Sequence, residues 1–341
     1  MSESGNDLRF VELRAEQRRQ LVDLRQVHEA HRTVEQRLGQ DFSGSMRWLT
    51  RRGRDYLHRK RGNRERSLGP RSPETEAIYE AFLTGREAAR ADLKRLEARL
   101  DQMAPVNRAL ELGRVPTLTA RILRRLDREG LLGTHLLLVG TNALFAYEAR
   151  AGGHLESDLL ATGDADLLWD ARQGIELLDD AVRAEGILGL LQKLDRSFQL
   201  RGPRDFRAFN ADGFFVDLIR EEDERLAAPH SRRTIGDRGD DLHGAPIEGL
   251  QWLINAPRLD VVAVADDGHP VRIVTVDPRA FALHKVWVSQ RPSRDPVKSS
   301  RDLAQARAVA ALCDHYLQLS FDDPALEALP DRIRALGDAL R

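Results

Sequence analysis

One cysteine, three methionines and an aromatic share of 6% are spread over 341 residues, and each scarcity excludes something. With Cys313 as the single thiol there is no intrachain disulfide framework. A structural zinc site would fall to the ten histidines, none of which stands in His-x-x-x-His spacing. Charge of one sign is missing too: 53 basic residues face 54 acidic ones, so no global field draws the chain to nucleic acid or to a membrane. Because 31% of residues are nevertheless charged, local clusters can carry binding that the total conceals. No run of about 18 apolar residues is present, which removes a membrane-spanning helix from consideration. There is no phosphate-binding P-loop and no dinucleotide fingerprint, and Gly186 and Gly189 stand isolated. The opening Met1-Ser2-Glu3-Ser4-Gly5-Asn6-Asp7 has neither the basic start nor the apolar stretch of a signal peptide, so a cytoplasmic protein is expected. Cys313 follows Ala310-Ala311-Leu312, where a buried thiol without chemical role is expected.

What is there reads as α+β in four segments: an N-terminal helix over 1–44, a small basic sheet with long helices over 45–130, an α/β domain over 131–325 and a tail helix over 326–341. Residues 8–38 lack Gly and Pro until Gly39, which predicts a docking or oligomerising helix, with apolar positions too irregular for a coiled coil. Residues 45–68 are short aromatic runs broken by Gly53 and by Gly62-Asn63, which predicts two or three strands. Between Met46 and Arg71 ten Arg or Lys face two acids, the most basic stretch of the chain. Ser72-Pro73 then opens a helix, whose stripe from Ile78 through Phe82, Ala89 and Leu100 to Met103 runs for about seven turns. A further helix is predicted from Pro116 to Gly130. His135–Val139 predicts a central strand ending at Gly140, followed by a helix over 142–150 and a strand over 164–169. A helix around 187–198 and a hairpin turned by Asp212-Gly213 come next. Strands at 261–265 and 271–276 and helices at 278–290 and 299–319 complete the chain.

Chemistry concentrates in the second half. In Asp164-Ala165-Asp166 two carboxylates sit at i and i+2 of a strand, so both project from one face, about 6 to 7 Å apart at the backbone. Adjacent acids repel unless a cation lies between them, and oxygen-only ligands favour Mg²⁺ or Mn²⁺. Taken alone, such a pair is more often simply solvated on an exposed strand. Gly140-Thr141, between a strand and a helix, offers free N–H groups and a hydroxyl where phosphate binds well, although a plain strand-to-helix turn has the same sequence. Asp217 is a single charge in Phe214-Phe215-Val216-Asp217-Leu218-Ile219, and burial demands a partner: Arg204, Arg207 or Arg220, or a metal.

This ordered set of strand, Gly-Thr, helix, Asp-x-Asp strand and later strand Asp resembles the polymerase-β nucleotidyltransferase superfamily. Within it the chain is similar to bacterial nucleotidyltransferase-domain proteins, a likeness extending to Met46-Arg47-Trp48, Gly53-Arg54-Asp55-Tyr56-Leu57 and Ser67-Leu68-Gly69-Pro70-Arg71-Ser72. The resemblance implies a polymerase-β-like α/β domain with C-terminal helices. It implies Asp164, Asp166 and Asp217 as metal ligands and catalytic acids, and Gly140 and Thr141 on the phosphates of an NTP. Lys285 and Asp302 fit a pattern of toxin-type nucleotidyltransferases, in which a lysine on one helix and an aspartate on the next line the nucleotide pocket. Lys285 reaching to solvent, and Asp302 paired with Arg301 or Lys298, are the ordinary alternatives. Two departures stand out: Thr141 occupies a place where Ser is common, and the gap from Thr141 to Asp164 is longer than usual, as an inserted loop would make it.

The implied activity is metal-dependent transfer of NMP from an NTP to an RNA, tRNA or protein acceptor, an EC 2.7.7-type reaction. The alternatives are a catalytically silent nucleotide- or nucleic-acid-binding regulatory module and a toxin-type enzyme. The basic segment, with Trp48, Arg51, Arg52, Arg54 and Tyr56, is the candidate for contacting the acceptor, since cations neutralise phosphates and rings stack on bases. It loosely resembles the three-stranded arm-binding modules that precede integrase catalytic domains. A solvated basic sheet covering the catalytic domain is the competing reading.

Overall fold

The expected first helix begins only at Ala15. A computed structural model describes residues 10–62, 64–172, 180–222 and 233–340, so positions 8 and 9 of that expectation lie outside the described residues, as does Asn63. Ahead of the helix, Phe10–Glu12 forms a strand, β1, antiparallel to Gly153–Leu155 further along. The Phe10 ring settles 4.4 Å from that of Tyr316, and it lies so close over Gly153 that a Cβ there would stand 2.3 Å from it. Packing of one aromatic ring thus overrides the helical composition around it.

Two units divide the chain: Met1–Ala15 with Gly113–Asp267 and Val271–Arg341, and Glu16–Leu112 with Gly268–Pro270. The expected boundaries at 44/45 and 130/131 therefore do not coincide with the observed ones.

In the smaller unit, α1 (Ala15–Gln40) starts at the boundary and is tied to α2 (Pro73–Ala109) by Gln17, which donates to the Leu110 carbonyl, and by Gln20, which donates to Asn107. Between these helices come β2 (Ser45–Arg51), β3 (Arg54–Arg61) and β4 (Arg64–Pro70), an antiparallel three-stranded sheet. The β2–β3 turn is Arg52-Gly53, both with positive φ (49° and 74°), the geometry that matches strand twist in two-residue hairpins. α2 starts with a capping box between Ser72 and Thr75 and runs 37 residues, longer than its apolar stripe. Its Phe82 is the anchor: Met46 and Leu57 bury against it, and the guanidinium of Arg59 lies 4.2 Å over the ring.

Strand period then sorts the expected acceptor-contacting residues. Trp48 shares the parity of Met46 and packs towards α2, its ring 5.9 Å from Tyr79 and covered by Arg71 at 5.2 Å. Arg51, Arg54 and Tyr56 project from the opposite face, because Arg51 pairs with Arg54, and Tyr56 with Leu49. Trp48 therefore does not belong with the set into which composition had grouped it.

The larger unit resumes with α3 (Thr117–Arg128), whose Ile122, Leu123 and Leu126 lie in one core with β5 (Leu136–Val139). A single 3₁₀ turn follows and leads into α4 (Leu144–Ala151), then β6 (Gly153–Leu155), α5 (Ser157–Leu160) and β7 (Asp164–Trp169). α6 (Asp180–Leu194) breaks at Gly186, and Asp241 caps its second half by accepting the N–H groups of Ile187 and Leu188. β8 (Gln199–Leu200), β9 (Arg207–Phe209), β10 (Phe215–Glu221) and β11 (Ala245–Ile247) complete a six-stranded mixed sheet. Its order is β5-β7-β10-β9-β8; β11 also pairs with β10, beyond the end of β9. β7 and β10 run parallel, the crossover passing through α6. After α7 (Leu250–Asn255) comes a separate ribbon of β12 (Arg258–Val264) and β13 (Pro270–Val276), then the helices α8 (Pro278–Ser289) and α9 (Pro296–Leu312).

The expected tail helix is short turns instead, α10 (Asp331–Arg334) between 3₁₀ segments, and Leu326, Leu329 and Ile333 join the main core. Cys313 is buried there and its thiol is pushed up to about 12 by that burial, which makes it a poor nucleophile. The architecture is α+β, and no helix among the described residues is long and apolar enough to cross a membrane.

Phe82→Ala removes the side chain that joins the basic sheet to α2. A loss of about 3–5 kcal/mol is expected, read by amide hydrogen exchange as faster exchange over residues 45–70 and unchanged protection in 164–169 and 215–221.

Candidate active site

Val139 closes β5 in extended conformation and Gly140 turns the chain with φ 67°, a value that disfavours any side chain. Space demands glycine there as well. A Cβ would stand 2.0 Å from Oδ2 of Asp166, so the Asp166 carboxylate lies directly on the Gly140 backbone. Residues 140–143 make one 3₁₀ turn before α4, rather than a direct helix start. Asn142 donates from its amide to the Asp164 carbonyl at 2.5 Å, binding this turn to the beginning of β7.

The acids come from adjacent strands. Asp166 pairs in register with Val139 on one side and with Asp217 on the other, while Asp164 pairs with Phe215. Residues in register project to the same face, so Asp164, Asp166 and Asp217 share one side of the sheet. Their situations differ. Asp164 accepts a short hydrogen bond from the Thr162 hydroxyl. Asp217 is buried and takes both arms of the Arg207 guanidinium, at 2.6 and 2.5 Å, from the cross-strand position opposite. Of the three arginines the sequence offered, register selects Arg207, and the buried charge is neutralised by a bidentate pair.

Asp166 has neither kind of help, since no described residue donates a hydrogen bond to it. Burial, then the nearby charges of Asp164 and Asp217, push its pKa from 3.8 up to about 7, against opposing pulls from Lys285 and Arg207. By accessible surface Asp166 is only partly covered, so water reaches the group and moderates this cost.

That opposing pull brings Lys285 into the same field. From α8 its Nζ donates to Asp302 of α9 at 2.7 Å, and Arg294 donates to the other oxygen of Asp302 at 2.7 Å. Asp302 is thus paired with Lys285 and Arg294, not with Arg301 or Lys298; Arg301 turns to the Ala161 carbonyl instead. One turn beyond Asp302, Gln305 donates to the Thr141 hydroxyl at 3.2 Å and to the Leu159 carbonyl at 2.7 Å, which fastens α9 over the Gly140 turn. Gly140, Thr141, Asp164, Asp166, Asp217, Lys285 and Asp302 all fall in one region of the larger unit. Arg294, Gln305, Asn142 and Thr162 escaped the sequence reading; the signal for Gln305 was its i+3 spacing from Asp302 on one helix face.

No group of three or more His, Cys, Asp or Glu among the described residues is arranged to hold a metal ion. The expected three-carboxylate arrangement is divided, because Asp217 spends both oxygens on Arg207. Asp164 and Asp166 do fit a divalent cation by their chemistry: two oxygen donors on one face, one of them raised in pKa by burial and then by the other, and without a donor of its own.

A family model described as Nucleotidyltransferase matches residues 117–330. That stretch is more than half of the chain, which accordingly belongs to this nucleotidyltransferase family. The match opens at the first residue of α3 and takes in every residue of the site, while the three-stranded basic sheet lies outside it. No curated protein and no solved structure matches the chain.

A carboxylate whose folded pKa exceeds its unfolded value retains a proton that the unfolded chain releases, so stability falls as pH rises from about 4 to about 7. At roughly 1.4 kcal/mol per pKa unit the penalty is at most about 4 kcal/mol. In EDTA, Asp166→Asn is expected to melt at higher temperature than the wild type at pH 8 and at the same temperature at pH 4, as thermal denaturation at both pH values would show. Gly140→Ala should lower the melting temperature at both.

Proposed function

We propose that the chain is a metal-dependent nucleotidyltransferase of the polymerase-β type, moving NMP from an NTP to a hydroxyl of an RNA, tRNA or protein acceptor. The observation that carries this reading is the Asp166 carboxylate, under-compensated beside Asp164 and resting on the backbone of the Gly140-Thr141 turn. A fold retains such repulsion where a ligand relieves it. Asp164 and Asp166 would hold Mg²⁺ or Mn²⁺, which supplies charge neutralisation for the triphosphate and acidifies an acceptor hydroxyl.

The protein's own part is positioning. Backbone N–H groups at Gly140 and the hydroxyl of Thr141 are suited to phosphate oxygens, with Gln305 orienting that hydroxyl. Lys285 supplies a fixed positive charge for the departing pyrophosphate, and Asp302 holds its Nζ in place. Asp217 completes the acidic face, and Arg207, its partner, stands within the field of Asp164 and Asp166 as a second cation for phosphate. In-line attack on the α-phosphorus then forms the new phosphoester bond as the bond to pyrophosphate breaks. The contribution of the residues is orientation and electrostatic stabilisation.

A second reading has its own support: with Asp217 neutralised by Arg207, the site would bind NTP without turnover, as a regulatory module. The two part in one experiment. The full chain is incubated with each α-³²P-labelled NTP, Mg²⁺ or Mn²⁺, and total RNA or bulk protein. Label is expected in an acceptor, falling at least about 10³-fold in Asp164→Ala/Asp166→Ala, a loss on the scale of removing the main electrostatic stabilisation. Label that survives the double substitution would overturn the enzymatic reading, and NTP binding with no incorporation would establish the silent one. A toxin-type role predicts growth arrest on expressing the wild type and none with the double variant.

A further inference from the structure

The transfer chemistry uses nothing from the three-stranded sheet, yet the face of that sheet turned away from α2 is oddly charged. Arg51, Arg52, Arg54, Tyr56, His58 and Ser67 line one surface depression. The three arginines are exposed, and none of their side chains has an ion pair or hydrogen bond among the described residues. Of the two acids of the segment, Asp55 is engaged with Thr50 and Arg71, and Glu65 is taken up by Arg47 and stands 3.5 Å from His58, so neither reaches the three arginines.

Arg51 and Arg54 are direct cross-strand partners, a like-charge juxtaposition that weakens a hairpin. Arg52 occupies the first place of a two-residue turn at φ 49°, where Asn or Gly is the unstrained choice. Three guanidiniums in four residues, placed against both charge repulsion and backbone preference, do nothing for the stability of the sheet. A polyanion would neutralise all three. Same-face residues along a strand repeat at about 6 to 7 Å, and Tyr56, partly exposed in the middle of the same face, offers a ring for stacking.

We propose that this face is a docking surface for single-stranded RNA, with phosphates on Arg51, Arg52 and Arg54 and a base on Tyr56. A single strand is favoured over a duplex because only unpaired bases are free to stack on a side chain. The choice of RNA over other polyanions rests on the nucleotidyl-transfer reading, for which it names the acceptor; binding itself does not depend on that reading.

The test is fluorescence anisotropy of the full chain with a fluorescein-labelled 20-nucleotide single-stranded RNA at 50, 100 and 200 mM KCl, without NTP. Binding is expected to weaken as salt rises. Arg51→Ala/Arg52→Asn/Arg54→Ala, in which Asn suits the positive φ, should bind at least about tenfold more weakly at 100 mM. At roughly 0.7 per phosphate contact on a single strand, its log–log salt slope should flatten by about 2. Replacing all three by Lys should retain the slope, and Tyr56→Leu should cost a few-fold without altering it. Asp164→Ala/Asp166→Ala should bind as the wild type does. The proposal is overturned if the wild type binds no RNA at 50 mM, or if the triple Ala/Asn variant binds equally well with unchanged amide exchange in the sheet. Equal competition by polyglutamate or phosphatidylserine vesicles, or tighter binding of single-stranded DNA, overturns it too. Nucleotidyl transfer to another acceptor alongside absent RNA binding would sink this inference and leave the enzymatic reading standing.

Discussion

Electrostatic crowding on one face of two parallel strands is the constraint around which the larger unit is organised. β7 and β10 bring Asp164, Asp166 and Asp217 to the same side, and each strand is otherwise buried, with Ala165, Leu167, Val216 and Leu218 at 1% exposure or less. The apolar flanks hold the strands in register, and the register holds the acids together whatever their mutual repulsion. The neighbouring features respond to that crowding. Arg207 satisfies one carboxylate and Thr162 another, while Gly140 leaves room for the third. Lys285 is drawn into the field of Asp166 while Asp302 and Arg294 balance it.

Much of this was legible in sequence where side-chain pattern and strand geometry agree. The strand Asp164–Trp169 is legible residue for residue, because Asp164 and Asp166 alternate with apolar residues before the run closes on Leu168 and Trp169. The hairpin around Asp212-Gly213 and the pair of late strands were equally visible from their turn residues. What escaped depends on long-range pairing. β1 is three residues whose partner lies about 140 positions away, and a local window sees only helix-forming neighbours. The choice among Arg204, Arg207 and Arg220 for Asp217 is a matter of register, which composition does not encode. Arg294 and Gln305 acquire meaning only when α8 and α9 fold back on each other, so that Lys285 and Arg294 meet Asp302 while Gln305 reaches Thr141 across more than 140 residues of chain.

The smaller unit shows the limit of reading composition without parity. Ten basic residues in twenty-six made the segment conspicuous, and Trp48 and Tyr56 looked equivalent within it. Antiparallel pairing separates them: Trp48 is part of the contact with α2, and Tyr56 faces outward with Arg51 and Arg54. A helix stripe and a strand alternation therefore had to be combined before the two aromatic residues could be told apart, because which face is buried is decided by where Phe82 lies.

The edge of β10 is filled piecemeal, with β9 covering residues 215–217 and β11 covering 219–221. The short piece that carries Arg207 has a second hold: Ala208 is fully buried in the main core, and the Phe206 carbonyl accepts the N–H of Leu218. Arg207 is therefore kept opposite Asp217 by the interior of the unit as well as by three register pairs, and the neutralising partner of that carboxylate is as permanent as the core beneath it.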